Sequence, residues 1–294
     1  MLKIEGIHKS FNENEVLKDI SLDIDNGSVF GLVGINGAGK STLLRLIAGV
    51  YMPDDGHITL DGQDTYAQPE TRKDIVFVSD EGYFPSASTI KDLKIFYESF
   101  YCLDESLYHK YLNMFGLDEN AQISGFSKGM KRQTILVFAL AIKPKLLLLD
   151  ECFDGLDPLA RLNFKKALID LIEERDITII ISSHNLKELE DICDSFGILE
   201  NGQINTYGDL QESKDRVAKF QLAYSDNAEH DFRSRFEVLS EKKEGRVITL
   251  VVKGDVESIR KEIAETDPLI MDELPVNFEE LFIYEVESRG MLNE

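Results

Sequence analysis

Apolar and polar residues alternate at the start of the chain, in LKIEGI at 2–7 and VLKDISLDI at 16–24, and again around 57–60. This two-residue period predicts strands of a small antiparallel layer with one face covered. Continuous apolar runs follow at VFGLV (29–33), LLLL (146–149) and TIIIS (178–182), short enough for strands and without a polar face, as in a parallel sheet buried on both sides. Helical spacing marks TLLRLIA after the first run, TIKDLKIFYESFY and YHKYLNMFGL before the second, and PLARLNFKKALIDLIEER before the third. The alternation predicts an α/β fold with a mixed sheet core, the antiparallel layer beside it and a helical insertion over about residues 84–143. Phe96, Phe100, Tyr108 and Phe115 are expected in the core of that insertion. FGILENGQINTYG (196–208) predicts a hairpin that closes the sheet. From about residue 213 the pattern changes: EVLSEKKEGRVITLVVKG reads as two strands around a charged turn, and VESIRKEIAET and NFEELFIYEVESRG as helices. Residues 1–212 and 213–294 are therefore expected to form two domains, the second a small α+β unit.

Composition narrows the function classes. The 294 residues are 43% hydrophobic, yet no run approaches the roughly 18 to 20 apolar residues that span a bilayer. The opening MLKIEGIHKSF carries charges where a secretory signal would be apolar, so a cytosolic location is expected. Cys102, Cys152 and Cys193 are odd in number and lack a CxxC pair, which argues against a disulfide framework or a zinc site. A formal net charge of −22 disfavours a nucleic-acid-binding surface, because phosphate backbones are held mainly by Lys and Arg.

Local chemistry is concentrated after the apolar runs. Gly34-Ile-Asn-Gly-Ala-Gly-Lys40-Ser41 fits GxxxxGK[ST] between a strand and a helix. Its glycines let backbone N–H groups wrap an anion, Lys40 supplies a charge to outer phosphates, and Ser41 offers a hydroxyl to Mg²⁺. In PKLLLLDE, Asp150 ends a buried strand where ligands bind in open α/β sheets, and Glu151 beside it is placed to orient or deprotonate water; capping the next turn is the plainer alternative. His184 follows another strand end, where it can reach a phosphate or simply sit as a satisfied surface residue. GFSKGMKRQ at 125–133 sets Ser127 as an N-cap before the apolar helix TILVFALAI, and alone it tells nothing more.

Together these segments resemble the nucleotide-binding subunit of ATP-binding cassette (ABC) proteins over about residues 1–212. Gly34–Ser41 is similar to its Walker A loop, Leu146–Asp150 to Walker B, Glu151 to the catalytic glutamate, Asp154-Gly-Leu-Asp157 to the D-loop and His184 to the switch histidine. GFSKGMKRQ lies where the family carries its LSGGQ signature. The resemblance implies a P-loop NTPase fold of ABC type that hydrolyses ATP with Mg²⁺. ATP would be held by Asn36, Gly37, Ala38, Gly39, Lys40, Ser41 and Thr42, and by Ser127 and Gly129 acting in trans from a second copy. Phe11 falls where the family sets an aromatic ring against adenine, an ordinary core Phe being the alternative. Ser41 and Asp150 would hold the metal, with Lys40, Glu151 and His184 serving catalysis. Three positions depart from the family pattern: Lys128 and Met130 within the signature, and Asp80, which stands for the Q-loop glutamine and is expected as a further metal ligand. The resemblance further implies a homodimer, or a pair with a paralogous subunit, working on the cytoplasmic face of the cell membrane on a separate transmembrane permease. The Ser-Lys-Gly-Met signature leans toward exporters. A soluble cassette clamp acting on ribosomes or DNA is the rival, disfavoured by a single cassette, an acidic surface and too short an interval between Lys40 and Asp150 for a long coiled-coil arm. The C-terminal part is similar to an appendage of export-type subunits, for dimer support or regulation, or merely stability.

Overall fold

The computed structural model describes residues 1–80, 82–85, 87–174, 177–225 and 231–288. By its internal contacts the chain divides into residues 1–207 and 208–294, a little before the expected position.

In the first unit, β1 (Leu2–Phe11) and β2 (Asn14–Ile24) pair antiparallel from Leu2↔Ile24 to Phe11↔Asn14, and their alternation puts Leu2, Ile4, Leu22 and Ile24 inward. The fully buried β3 (Val29–Val33) leads into α1 (Lys40–Ile47), and β4 (Asp55–Leu60) and β5 (Gln63–Asp64) then complete the antiparallel layer in the order β2-β1-β4-β5. After β6 (Ile75–Val78) come α2 (Ile90–Glu98), α3 (Glu105–Phe115) and α4 (Lys128–Ala141), the helices of the expected insertion. The chain returns through β7 (Leu146–Asp150), α5 (Pro158–Glu174), β8 (Thr178–Ser183), the short α6 (Leu186–Leu189), β9 (Ser195–Glu200) and β10 (Gln203–Asp209). These build a six-stranded sheet in the order β10-β9-β3-β8-β7-β6, parallel from β9 to β6.

One core joins the layers: Ile4, Ile7 and Leu22 of the antiparallel layer meet Leu43, Leu44 and Ile47 of α1 and Leu146 and Leu148 of β7. Burying each such side chain contributes about 1.5–3 kcal/mol, so α1 is seated by packing rather than by its own eight-residue length. Tyr108 and Phe115 are buried as expected, but Phe96 and Phe100 are exposed. The buried stripe of α2 runs through Ile90 and Leu93, and Tyr97 one turn on stacks on Phe138 of α4. Phe96 lies one residue before Tyr97, about 100° around the helix from it, and Phe100 follows the end of the helix at Glu98.

In the second unit, α7 (Leu210–Asp215) precedes β11 (Val217–Ala223), the hairpin β12 (Glu237–Glu244) and β13 (Val247–Lys253), α8 (Val256–Ala264), β14 (Ile270–Leu274) and α9 (Phe278–Ser288). Its antiparallel sheet has the order β12-β13-β11-β14. Phe220, Leu222, Leu250 and Val252 pack on Ile259 and Ile263 of α8, giving this unit its own core. The hairpin and both longer helices stand where the pattern predicted; β11 and β14 did not announce themselves.

Candidate nucleotide site

Strand β8 lies between β3 and β7, so the three C-terminal ends deliver the loop 34–41, Asp150–Glu151 and His184 to one place. The loop needs glycine at two close approaches: a Cβ on Gly34 would stand 2.4 Å from the Leu199 carbonyl oxygen, and Gly39 caps α1 at φ +110° with Leu17 against it. Asn36 and Gly37 are exposed at its tip, Ala38 is buried, and Thr42 is half-buried on α1. A pocket of about 270 Å³ beside the loop is lined by Val16, Asn36, Gly37 and Gly202. Phe11 is partly exposed with its ring edge-on to Tyr51, and it pairs across the hairpin with Asn14, which also lines the pocket.

Lys40 is 6% exposed and donates to the Gly34 carbonyl oxygen at 2.7 Å, with Glu151 Oε1 at 3.3 Å. The Ser41 hydroxyl donates to Asp150 Oδ1 at 3.0 Å, as does the Ser182 hydroxyl at 2.7 Å, whereas Asp150 Oδ2 is buried with no partner among the described residues. Glu151 sits at φ +47°, a left-handed conformation that costs a residue with a side chain about 1–2 kcal/mol. Its backbone N–H is held there by Ser182, 3.1 Å from the hydroxyl oxygen and 3.2 Å from the carbonyl oxygen. Glu151 Oε2 accepts from His184 Nδ1 at 2.9 Å, and a carboxylate accepts only, so Nδ1 carries the proton. Asp154 offers its carboxylate to the same place, within 4.8 Å of the ligand atoms of Glu151 and His184.

The loop around His184 is braced from behind. Arg161 of α5 meets the buried Glu188 at 2.7 Å, and Ser183 donates to the other oxygen of that carboxylate at 3.1 Å. Burial pushes the Glu188 carboxyl up, while Arg161 and Ser183 pull it back. Ser182, Arg161 and Glu188 carried no signal in the sequence, because single polar residues reach such a site only through tertiary packing.

Ser127 caps α4, accepting from Met130 N–H at 3.2 Å and keeping its own proton to donate outward. Gly129 is pressed on the D-loop: a Cβ there would lie 2.6 Å from the Gly155 carbonyl oxygen, and the Lys128 side chain runs along Gly155. Ser127 and Gly129 are not among the groups gathered at Glu151. Asp80, which follows β6 beside β7, accepts at its Oδ1 from Arg132 of α4 at 2.8 Å.

The family described as ABC transporter matches residues 17–154. The ABC transporter ATP-binding protein YtrB of Bacillus subtilis is 33% identical over 96% of this chain and 97% of its own length. The lantibiotic transport ATP-binding protein SrtF of Streptococcus pyogenes is 31% identical over 69% of this chain and 89% of its own. Among solved structures, an ATP-binding subunit of an ABC transporter superposes with a TM-score of 0.67 at 30% identity, over 73% of this chain and 92% of that one. With three strand ends converging behind a phosphate loop and a relative matched along almost its whole length, the chain belongs to the ATP-binding subunits of ABC transporters, which are ATPases.

Proposed function

We propose that two copies of this chain close on two MgATP, hydrolyse them, and so drive a separate transmembrane permease from the cytoplasmic face of the membrane. The observation that carries this reading is the hydrogen-bonded set Lys40, Ser41, Asp150, Glu151 and His184, gathered at neighbouring strand ends.

The fit for Mg²⁺ rests on Asp150, whose Oδ2 is buried and orphaned while Oδ1 shares the Ser41 hydroxyl. A hard cation with oxygen ligands suits that pair, and when bound it would neutralise charge on the phosphate oxygens. Lys40 exchanges the Gly34 carbonyl and Glu151 for the outer phosphates. Glu151 orients the attacking water and accepts its proton, its second oxygen fixed by His184. The free ends of α4, Ser127 and Gly129 would complete the other copy's site, a helix N-terminus meeting phosphate. The cations Lys128 and Lys131 near Asp80, the exposed Ile95 and Phe96 of α2 and the exposed Phe100 just after it favour a protein partner on the helical insertion. Export is favoured by the lantibiotic transport relative. No helix among the described residues is long and apolar enough to cross a membrane, which is why the permease is proposed as a separate chain. Residues 208–294 would be an accessory unit of the dimer.

The test is to hold Glu151→Gln with MgATP in its native cells, extract in detergent and identify what copurifies. A multi-span membrane protein in stoichiometric amount supports the transporter reading. Ribosomes or DNA in its place would overturn the transport role and leave the ATPase chemistry standing.

A further inference from the structure

Arg132 points inward from the second turn of α4, and its side chain is only 3% exposed. Among the described residues its guanidinium makes three hydrogen bonds, all to the turn that follows β6: Nη1 donates to the Ser79 carbonyl oxygen at 2.8 Å, and Nη2 to the Asp80 carbonyl oxygen at 2.7 Å and to Asp80 Oδ1 at 2.8 Å. Among the described residues, Asp80 is the carboxylate that pairs with this buried cation. The two amino groups of one planar fork thus hold two successive residues, a geometry that a neutral partner would not charge-balance. A cavity of about 330 Å³ opens beside the pair, and Lys128 and Lys131 line it together with Arg132. Among the described residues Asp80 is its one acidic lining residue, set against these three cations at the start of the helix. On the other side, Val78 of β6 pairs with Leu149 of β7, one residue before Asp150. Ser127 lies five residues before Arg132, about 7 Å along the same helix.

We propose that Asp80 is the counter-ion of Arg132 and that the pair is a positioning clamp, fixing the start of α4, and with it Ser127 and Gly129, to the strand beside Asp150 and Glu151. The clamp rests on the reading above that Ser127 and Gly129 meet the nucleotide of a second copy. Asp80 thereby acts on the site through the signature helix and not through the metal. It ties the half-site a chain offers its partner to the half-site it keeps.

The experiment uses the full chain carrying Glu151→Gln, to which Asp80→Asn or Asp80→Glu is added. Two quantities are read: nucleotide affinity of the dilute monomer with and without Mg²⁺, and the ATP-driven monomer–dimer equilibrium by sedimentation. Asp80→Asn should weaken the dimer by about ten-fold, the equivalent of roughly 1.4 kcal/mol for one charge-assisted contact. Asp80→Glu, which keeps the carboxylate, should restore most of it, and neither variant should change monomer affinity or its Mg²⁺ dependence. A shift in Mg²⁺ dependence would place Asp80 on the metal and overturn the clamp; unchanged dimerisation in Asp80→Asn, or equal loss in both variants, would overturn it too. If the Glu151→Gln parent stays monomeric, the dimer reading fails by itself. The clamp is then judged by amide exchange in the first turn of α4, which Asp80→Asn speeds if the clamp exists and leaves unchanged if it does not.

Discussion

Ser182 touches both acids of the site, donating its hydroxyl proton to Asp150 Oδ1 and accepting the Glu151 N–H at the same oxygen. It therefore holds Glu151 in its left-handed conformation and orients the carboxylate proposed for the metal. Ser182→Ala keeps the carbonyl contact to Glu151 N–H and removes the hydroxyl from both acids. The buried Asp150 then loses one of its two donors, worth roughly 1.5–3 kcal/mol for a bond to a charged group. In steady-state ATPase assays the expected result is a kcat lower by about ten-fold or more, with KM for ATP within about two-fold, because Lys40 and the glycine loop are untouched. A rise in KM with kcat unchanged would show that Ser182 serves binding instead.

The starts of α2, α3 and α8 are held by carboxylates. Asp92 accepts from the Thr89 backbone N–H and hydroxyl, Asp104 from Lys143 and then the Leu107 N–H, and Asp255 from Ser258. Each carboxyl is held below its ordinary value of 3.8 by those bonds. A lowered folded-state pKa means the stabilisation is present above the unfolded value and lost as pH falls through the folded one. Melting curves should therefore be flat from pH 7 to about pH 5 and drop steeply below about pH 4, and Asp104→Asn should soften the acid limb while lowering the neutral plateau. The elements so capped differ in how far the sequence revealed them. Runs such as LLLL at 146–149 and the 3.6-residue period of 158–175 reflect burial by one sheet or one core; Leu146–Asp150 stands as a strand and Pro158–Glu174 as a helix. β14 stayed hidden because its edge position leaves Ile270, Asp272 and Glu273 exposed, without an alternating face. At the site, Gly34–Ser41, Asp150, Glu151 and His184 were legible because a phosphate loop and strand ends have local patterns. The destination of Asp80 was not, because its partner Arg132 lies 52 residues away and only folding brings the two together.

At the scale of the whole molecule, the formal charge of −22 is carried by each copy, so two copies repel while they approach. Raising ionic strength from about 0.02 M to 0.2 M shortens the screening length from roughly 20 Å to 7 Å, which should tighten the ATP-driven dimer by a few-fold in sedimentation experiments. Weakening by salt instead would mean that attractive pairs across the contact outweigh the long-range repulsion. The contact between Lys40 and Glu151, 6% and 14% exposed, bears on the molecule before it meets a partner. On the roles proposed above, the phosphates of ATP must displace Glu151 from Lys40 before they reach the lysine. The acid proposed for turnover would then also set nucleotide affinity, which links affinity and rate through a single side chain.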